Sequence, residues 1–179
     1  MLMADEKKQP AKNALLESLS YLGEGSSMVQ QIFEMIGRSK FYADFTRDDV
    51  ERLTAFMQVY RASPGQKIIQ EGDVDDYMIL IIEGRVEIVK TDSQGNHRPM
   101  TAVGAGATLG EMSMIDGEPR FASCLAVDST TFAVLSRDSM VKIILEEPGL
   151  GSKILIKLVT MMSQRLRSTS SNLLHYLER

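Results

Sequence analysis

The sequence has little cysteine, little histidine and no long hydrophobic run, and each shortage excludes a class of protein. The 179 residues include one cysteine, Cys124, so neither an internal disulfide nor a thiolate metal cluster can form. The two histidines, His97 and His175, are too few for the clustered metal site of a β-barrel enzyme. The longest apolar runs, such as residues 78–82, are far shorter than the ~20 residues that cross a membrane.

The charges of the chain are nearly balanced. Lys and Arg number 20 against 24 Asp and Glu, a net charge of −4, so no positive field draws the whole molecule to nucleic acid or to an anionic membrane. The first ten residues are charged and lack the apolar segment of a secretory signal. Together with the single cysteine, these features predict a cytoplasmic protein that does not bind membranes.

Apolar spacing predicts helices at both ends of the chain and short strands between them. Leu15 to Ile36 are spaced as two short amphipathic helices, and Thr46 with Asp49 predicts a capping box for a third helix that ends before residue 63. Turn residues then separate short β-rich runs, without the long crossover helices of a parallel sheet. The predicted strands are 67–70, 77–83, 85–91, 99–103, 121–127 and 131–135.

The resulting fold prediction is mainly β: an antiparallel β-roll or jelly-roll-like barrel with flanking helices. We expect an N-terminal helical extension over residues 1–44 and a β-roll domain over 45–150. A long C-terminal helix, serving as lid or dimerisation element, is expected over 151–179. The hydrophobic fraction of 44% is sufficient for one packed domain of this size.

The last helix carries an apolar seam of the kind that joins paired helices. Its members alternate four and three residues apart, as a and d positions do, and Thr169 is the polar exception. Two interpretations are open: a homodimer seam, or a stripe that packs on the chain's own barrel. The seam residues are Leu155, Val159, Met162, Leu166, Thr169, Leu173 and Tyr176.

The residues that suggest a ligand site lie in the segment 109–123. A short predicted helix, 111–115, is entered through Gly110, and its free backbone N–H groups suit an anion; Arg120 follows nine residues after Glu111. This set matches a singly charged phosphodiester, whereas a nucleoside triphosphate would require a P-loop, which the chain lacks. A purely structural alternative is that Glu111 and Arg120 form an internal ion pair that closes a loop.

The residues Gly110-Glu111-Met112-Ser113 and Pro119-Arg120 resemble, at the correct spacing, the phosphate-binding cassette of cyclic-nucleotide-binding domains. The final helix resembles that of bacterial catabolite-activator (Crp-Fnr) receptors, with Arg165-Leu166 followed by Thr169-Ser170. The resemblance implies that Glu111 accepts the ribose 2′-hydroxyl and Arg120 binds the exocyclic phosphate oxygens. The implied ligand-binding residues are Gly110, Glu111, Met112, Ser113, Arg120, Phe121, Ala122, Ser123, Thr169 and Ser170.

Phe121 departs from the family pattern, which has Ala, Ser or Thr after the arginine. A hydroxyl there is associated with guanine recognition in the family, and phenylalanine has none, so the resemblance favours cAMP over cGMP. Because the ring must also find room, a degenerate domain that has lost its ligand and serves as an interaction module is the alternative. Ser123, two residues on, is expected on the same strand face as Phe121.

The function expected from these features is a non-enzymatic cAMP receptor that dimerises through its last helix and signals to a protein partner. No Ser-His-Asp or paired-carboxylate arrangement suggests catalysis, and Cys124 is expected to be a small buried hydrophobe. Catabolite activators carry a helix-turn-helix domain after this helix, whereas the sequence stops at Arg179, so we expect no direct DNA binding. The sensor fragment of such a regulator is a further alternative.

Overall fold

The computed structural model describes residues 14–38, 42 and 44–177, and it shows a β-roll flanked by helices. The helices are α1 Ala14–Glu17, α2 Val29–Arg38, α3 Arg47–Thr54, α4 Glu111–Asp116, α5 Arg137–Glu146 and α6 Pro148–Leu177, with a 3-10 turn at Gly25–Met28. The strands are β1 Ser20–Glu24, β2 Gln58–Ala62, β3 Lys67–Ile69, β4 Tyr77–Glu83, β5 Arg85–Thr91, β6 His97–Gly104, β7 Thr108–Leu109, β8 Ser123–Ala126 and β9 Thr130–Ser136.

The strands form two antiparallel sheets, which confirms the predicted fold class. One sheet has the order β1-β2-β9-β4-β7 and the other the order β3-β8-β5-β6. Strand β4 is buried along nearly its whole length, in agreement with its unbroken apolar sequence. Between the sheets, Phe132, Ile79 and Ile81 are fully buried, so the barrel is a packed core.

Several local predictions are confirmed. Strands β4 and β5 have the predicted bounds, and the capping box at Thr46 is present: its hydroxyl accepts from the Asp49 N–H, and its own N–H donates to the Asp49 carboxylate. The short helix after Gly110 is α4, and the long C-terminal helix is α6. Helix α6 begins at Pro148, three residues before the expected start.

Two helix predictions were wrong. Residues 20–22, expected to be helical, lie in strand β1, and residues 58–62, expected to continue the third helix, form β2. These strands pair with each other, and β2 also pairs with β9. Sheet hydrogen bonds and burial of Val59 therefore outweigh the helical spacing of the local sequence. Residues 1–13 of the expected extension lie outside the described part of the chain.

Helix α6 has a fixed root and an exposed outer part. Leu150, Ile154 and Leu158 are buried in the core that also contains α2 and α3. Ion pairs reinforce this root, because the Lys153 Nζ lies 2.7 Å from the Asp49 carboxylate and the Lys157 Nζ lies 2.6 Å from that of Asp44. The described residues from 163 onward are exposed. No helix in the described ranges has the length and hydropathy of a membrane span.

Four of the seven seam residues of α6 do not pack on the chain's own barrel, whereas Met162 is partly buried. Leu155, Val159, Leu166 and Leu173 are all exposed, while the buried face of the helix is a different one. The packing alternative of the sequence analysis is therefore wrong for these four residues. The side chain of Tyr176, the last seam position, lies outside the described residues.

Candidate functional site

The cassette begins at a glycine that the structure requires. Gly110, between β7 and α4, has a φ of +80°, and a Cβ at this position would lie 2.6 Å from an Nη atom of Arg120. A side chain would thus be strained by the backbone and would collide with a buried guanidinium. At the other end of α4, Arg137 donates from Nε to the Met114 carbonyl at 2.7 Å and from Nη2 to the Ser113 carbonyl at 2.8 Å.

Arg120 is almost completely buried, with 3% of its surface exposed. Its two terminal nitrogens donate to the backbone carbonyls of Gly110 at 2.8 Å and Tyr77 at 2.6 Å, and its guanidinium lies 4.4 Å from the Tyr77 ring centroid. The Nε lies 3.9 Å from the Asp75 carboxylate but makes no hydrogen bond. The side chain is therefore held rigidly, with donor capacity left for an acceptor.

Glu111 is buried to a similar degree, with 2% of its surface exposed. One carboxylate oxygen pairs with Arg165 of α6, whereas Oε2 is buried and has no hydrogen-bond partner. Burial raises the pKa of Glu111, and the positive charges of Arg165 and Arg120 oppose that rise. The loop-closing Glu111–Arg120 ion pair considered above is not present, because the acid's partner lies on α6.

Arg165 is the site residue that sequence reasoning missed. Besides pairing with Glu111, it donates from Nη2 to the Thr108 carbonyl at 2.9 Å, and the Thr108 hydroxyl lies 2.6 Å from the Tyr42 hydroxyl. In the sequence, Arg165 is distinguished only by the resemblance of its helix to that of catabolite-activator receptors. Its position four residues before Thr169 places both on one helix face, and this spacing was the available signal.

A cavity of about 770 Å³ joins the cassette to α6 and to the four-stranded sheet. Eight of the ten predicted site residues line it; Ser123 and Ser170 do not. The Ser123 hydroxyl is buried and accepts from the Glu71 N–H at 3.0 Å, so it is directed elsewhere. The lining residues are Ile69, Ile88, Met100, Thr101, Leu109, Gly110, Glu111, Met112, Ser113, Arg120, Phe121, Ala122, Cys124, Met161, Gln164, Arg165, Ser168, Thr169 and Asn172.

The placement of Thr169 accounts for a polar residue in an apolar seam. Thr169 faces the cavity, together with Arg165 and Asn172 of the same helix. The seam and the cavity therefore use adjacent faces of α6, and a hydroxyl at this position serves the cavity. Ser170, the next residue, is exposed outside the cavity of its own chain.

The Phe121 ring does not fill the cavity. It lies at the rim with 57% of its surface exposed, and the Lys90 Nζ lies 4.4 Å from the ring centroid. The space beside Glu111 and Arg120 is therefore open, and crowding by this ring, the main argument for a degenerate domain, is not observed.

Other reactive groups do not form a second chemical centre. Cys124 is buried, and burial raises the pKa of its thiol to about 12, which makes it a poor nucleophile. Across residues 14–38, 42 and 44–177, no three His, Cys, Asp or Glu side chains are grouped to hold a metal ion. The cavity thus combines one buried acid and two arginines with a lining of apolar and neutral polar residues.

Comparison with known proteins identifies the family of this site. A family model described as a cyclic nucleotide-binding domain matches residues 60–147. The crystal structure of a cyclic nucleotide-binding domain from Methylobacillus flagellatus is 39% identical, with a TM-score of 0.79, over 88% of this chain and 89% of that one. The chain belongs to the cyclic nucleotide-binding domain family.

Transcription regulators are among the relatives of this cyclic nucleotide-binding domain. The CRP-like cAMP-activated global transcriptional regulator of Mycobacterium tuberculosis is 25% identical over 140 residues, which are 78% of this chain and 61% of the regulator. The catabolite activator protein of Thermus thermophilus is 27% identical, with a TM-score of 0.68, over 75% of this chain and 62% of that one. The chain thus spans about three fifths of the length of these two regulators.

Proposed function

We propose that this protein is a receptor for a 3′,5′-cyclic nucleotide, cAMP above others, and that it catalyses no reaction. The observation that carries the proposal is Glu111 Oε2, a buried carboxylate oxygen without a hydrogen bond, in a residue that lines one cavity together with Arg120. A buried polar atom without a partner costs about 1–3 kcal/mol. A ligand hydroxyl that donates to this oxygen would remove that cost, and an anionic oxygen of the ligand would accept from the Arg120 guanidinium.

The chemistry of Glu111 and Arg120 indicates which part of the ligand each would bind. A carboxylate only accepts hydrogen bonds, so Glu111 suits the ribose 2′-hydroxyl, and the Arg120 guanidinium suits the singly charged phosphodiester. Backbone groups of Gly110, Met112 and Ser113 complete the phosphate and sugar contacts in this proposal. Thr169 lines the cavity from α6 and would contact the base, and Phe121 and Ala122 line the same cavity.

Arg165 connects the ligand to α6 in this proposal. Because it binds both Glu111 and the Thr108 carbonyl, it joins the outer helix to the cassette. A ligand hydroxyl that bonds Glu111 alters the environment of this ion pair and so favours one position of α6. The shift requires that the ligand bind that position more tightly than the other.

The output in this proposal is a homodimer that signals to a protein partner. The exposed seam residues Leu155, Val159, Leu166 and Leu173 fit a second copy of α6. Residues 45–150 would then sense the nucleotide, residues 151–179 would transmit the change, and residues 1–44 would form the partner-docking surface. We expect no direct DNA binding by this chain.

Calorimetric titration with cAMP, cGMP and a cyclic dinucleotide tests the proposal. We expect cAMP to bind most tightly, and saturation at ~100 times its Kd to add ~2.7 kcal/mol of stability, or roughly 5–10 °C in Tm. Arg120→Lys keeps the charge but loses the guanidinium fork, so affinity should fall about tenfold to a few-hundredfold.

Arg61→Lys is the matched control, because Arg61 is exposed on β2 away from the cavity and should bind cAMP as the wild type does. If the wild type melts cooperatively but binds none of the three ligands, the receptor proposal is wrong. The ligand-free interaction module would then be favoured.

A further inference from the structure

The rim of the cavity contains an aromatic ring whose exposure needs an explanation. Phe121 is the one exposed phenylalanine among the described residues, and it follows directly after Arg120. The ring lines the cavity while 57% of its surface remains exposed. An isolated exposed apolar residue is common on protein surfaces, but this one is held by two contacts with a single lysine.

Lys90 of β5 fixes the ring. Its Nζ lies 4.4 Å from the ring centroid, donates to the Phe121 carbonyl at 2.6 Å and pairs with the Glu71 carboxylate at 2.7 Å. A cation over an aromatic face is attracted by the ring's electron density. One ammonium therefore holds both the backbone and the side chain of Phe121.

Glu71 in turn fixes Lys90. Its second carboxylate oxygen accepts from the Thr91 N–H at 2.8 Å, and its own N–H donates to the buried Ser123 hydroxyl at 3.0 Å. The hydrogen bond from Lys90 contributes most to lowering the pKa of Glu71 to about 2, so the acid is ionised at neutral pH. Ser123 thus supports the rim of the cavity and does not face its interior.

We propose that Phe121 is a stacking face for the base of the bound nucleotide and that Lys90 and Glu71 hold the ring in position for it. The inference rests on the proposed function, because it names how the same site recognises its ligand. A phenyl ring forms no hydrogen bonds, so of the three parts of a cyclic nucleotide only the flat base matches it. Lys90 covers part of the ring, and another part of the ring surface lines the cavity.

This arrangement selects purines by area and not by hydrogen bonding. A purine offers a larger stacking surface than a pyrimidine, so Phe121 should favour cAMP over cUMP. The ring itself cannot distinguish adenine from guanine by donors and acceptors. Discrimination between the two purines is left to polar residues of α6 such as Thr169 and Asn172, which line the same cavity.

A tryptophan at position 121 gives a direct test, because the chain has no tryptophan of its own. In Phe121→Trp, cAMP should change the indole fluorescence with the same midpoint that calorimetry gives for binding. Tyr21→Trp is the control: Tyr21 is 51% exposed, comparable with Phe121, but lies on β1 outside the cavity. Its fluorescence should not respond to cAMP.

Affinity measurements complete the test. Phe121→Leu keeps an apolar side chain but loses the aromatic face, so cAMP affinity should fall about fivefold to a hundredfold, and cUMP affinity should fall less. Lys90→Met should weaken cAMP binding about twofold to fivefold. Cooperative unfolding of each variant without ligand shows that the fold is intact.

The outcomes separate this inference from the proposed function. If Phe121→Trp binds cAMP by calorimetry without a fluorescence change, or if Phe121→Leu leaves the cAMP-to-cUMP affinity ratio unchanged, the stacking role is wrong and the receptor function stands. If the wild-type protein binds neither nucleotide, both proposals are wrong.

Discussion

The cassette and the outer part of α6 are both polar regions of this molecule, but they are stabilised in opposite ways. In the cassette, Arg120 is buried and held by two backbone carbonyls and an aromatic ring. In the outer helix, Arg165 is half exposed, and the other described side chains from residue 163 onward are exposed. The cassette is therefore stabilised by contacts within the chain, whereas the outer helix leaves most of its surface exposed.

The largest expected effect comes from filling the tightest point of the cassette. Gly110→Ala places a Cβ 2.6 Å from Arg120 at a φ of +80°, so we expect a loss of roughly 3 kcal/mol or more in unfolding free energy and loss of nucleotide binding. Chemical denaturation and calorimetry measure both. Gly149→Ala is the control in α6, where a Cβ meets nothing within 4 Å, and it should be neutral or stabilising. A Gly110→Ala variant with normal affinity would show that the cassette is not rigid.

The next effect tests the link between the two regions. Arg165→Met leaves the Glu111 carboxylate buried without its main partner, so stability should fall by about 1–3 kcal/mol. The exposed Arg167→Met, two residues later, should have little effect. Adding Glu111→Gln to Arg165→Met should restore part of the loss, because the buried charge is removed. Additive losses in the double variant would mean that the ion pair does not couple α6 to the cassette.

The seam prediction concerns the outer helix alone. Leu166 is 68% exposed at an a-like position, and Leu166→Glu should weaken the proposed dimer at least tenfold without unfolding the barrel. Sedimentation equilibrium measures the change. Leu145→Glu is a matched control, because Leu145 is equally apolar and 75% exposed but lies on α5 outside the seam. A wild-type protein that stays monomeric with and without cAMP would contradict the dimer.

The smallest expected effect is a pH dependence at the cavity rim. The pKa of Glu71 is lowered from 4.5 to about 2, chiefly by Lys90, so its stabilising contribution is complete above pH 4.5 and lost as pH falls toward 2. Glu71→Gln should therefore flatten the loss of stability over that window, as measured by denaturant unfolding at each pH. Glu83→Gln, at an exposed position of β4, should retain the wild-type profile. Identical profiles for all three proteins would contradict the role of Glu71.

Much of the barrel could be predicted because its strands are short, apolar and bounded by turn residues. The bounds of β4 and β5 were read directly from the alternation of apolar runs and turns. Strands β1 and β2 could not be predicted, since their apolar residues also fit a helical period. Their pairing with each other and with β9 is a long-range interaction that local spacing does not report.

The candidate site could also be predicted only in part. Glu111 and Arg120 lie close together in sequence within a specific motif, so their proximity in space could be predicted. Arg165 lies 54 residues after Glu111, and only the return of α6 over the cassette brings the two together. Ser123 was misplaced because its strand begins only at that residue, so alternation counted from Phe121 does not apply.

Helix α6 is anchored at its root, so a small tilt there would move the far end of the helix by a larger distance. Lys153 and Lys157 bind the carboxylates of Asp49 and Asp44, and the apolar root residues are buried beneath them. The length beyond this root, from residue 159 to 177, is about 28 Å at 1.5 Å per residue, and Arg165 contacts the cassette part-way along it. A tilt of ~10° at the root would therefore displace the C-terminal end of the helix by ~5 Å, about one helical turn. A displacement of Glu111 that is too small to disturb the barrel would then cause a large movement at the end of α6. A second copy of the helix would bind there.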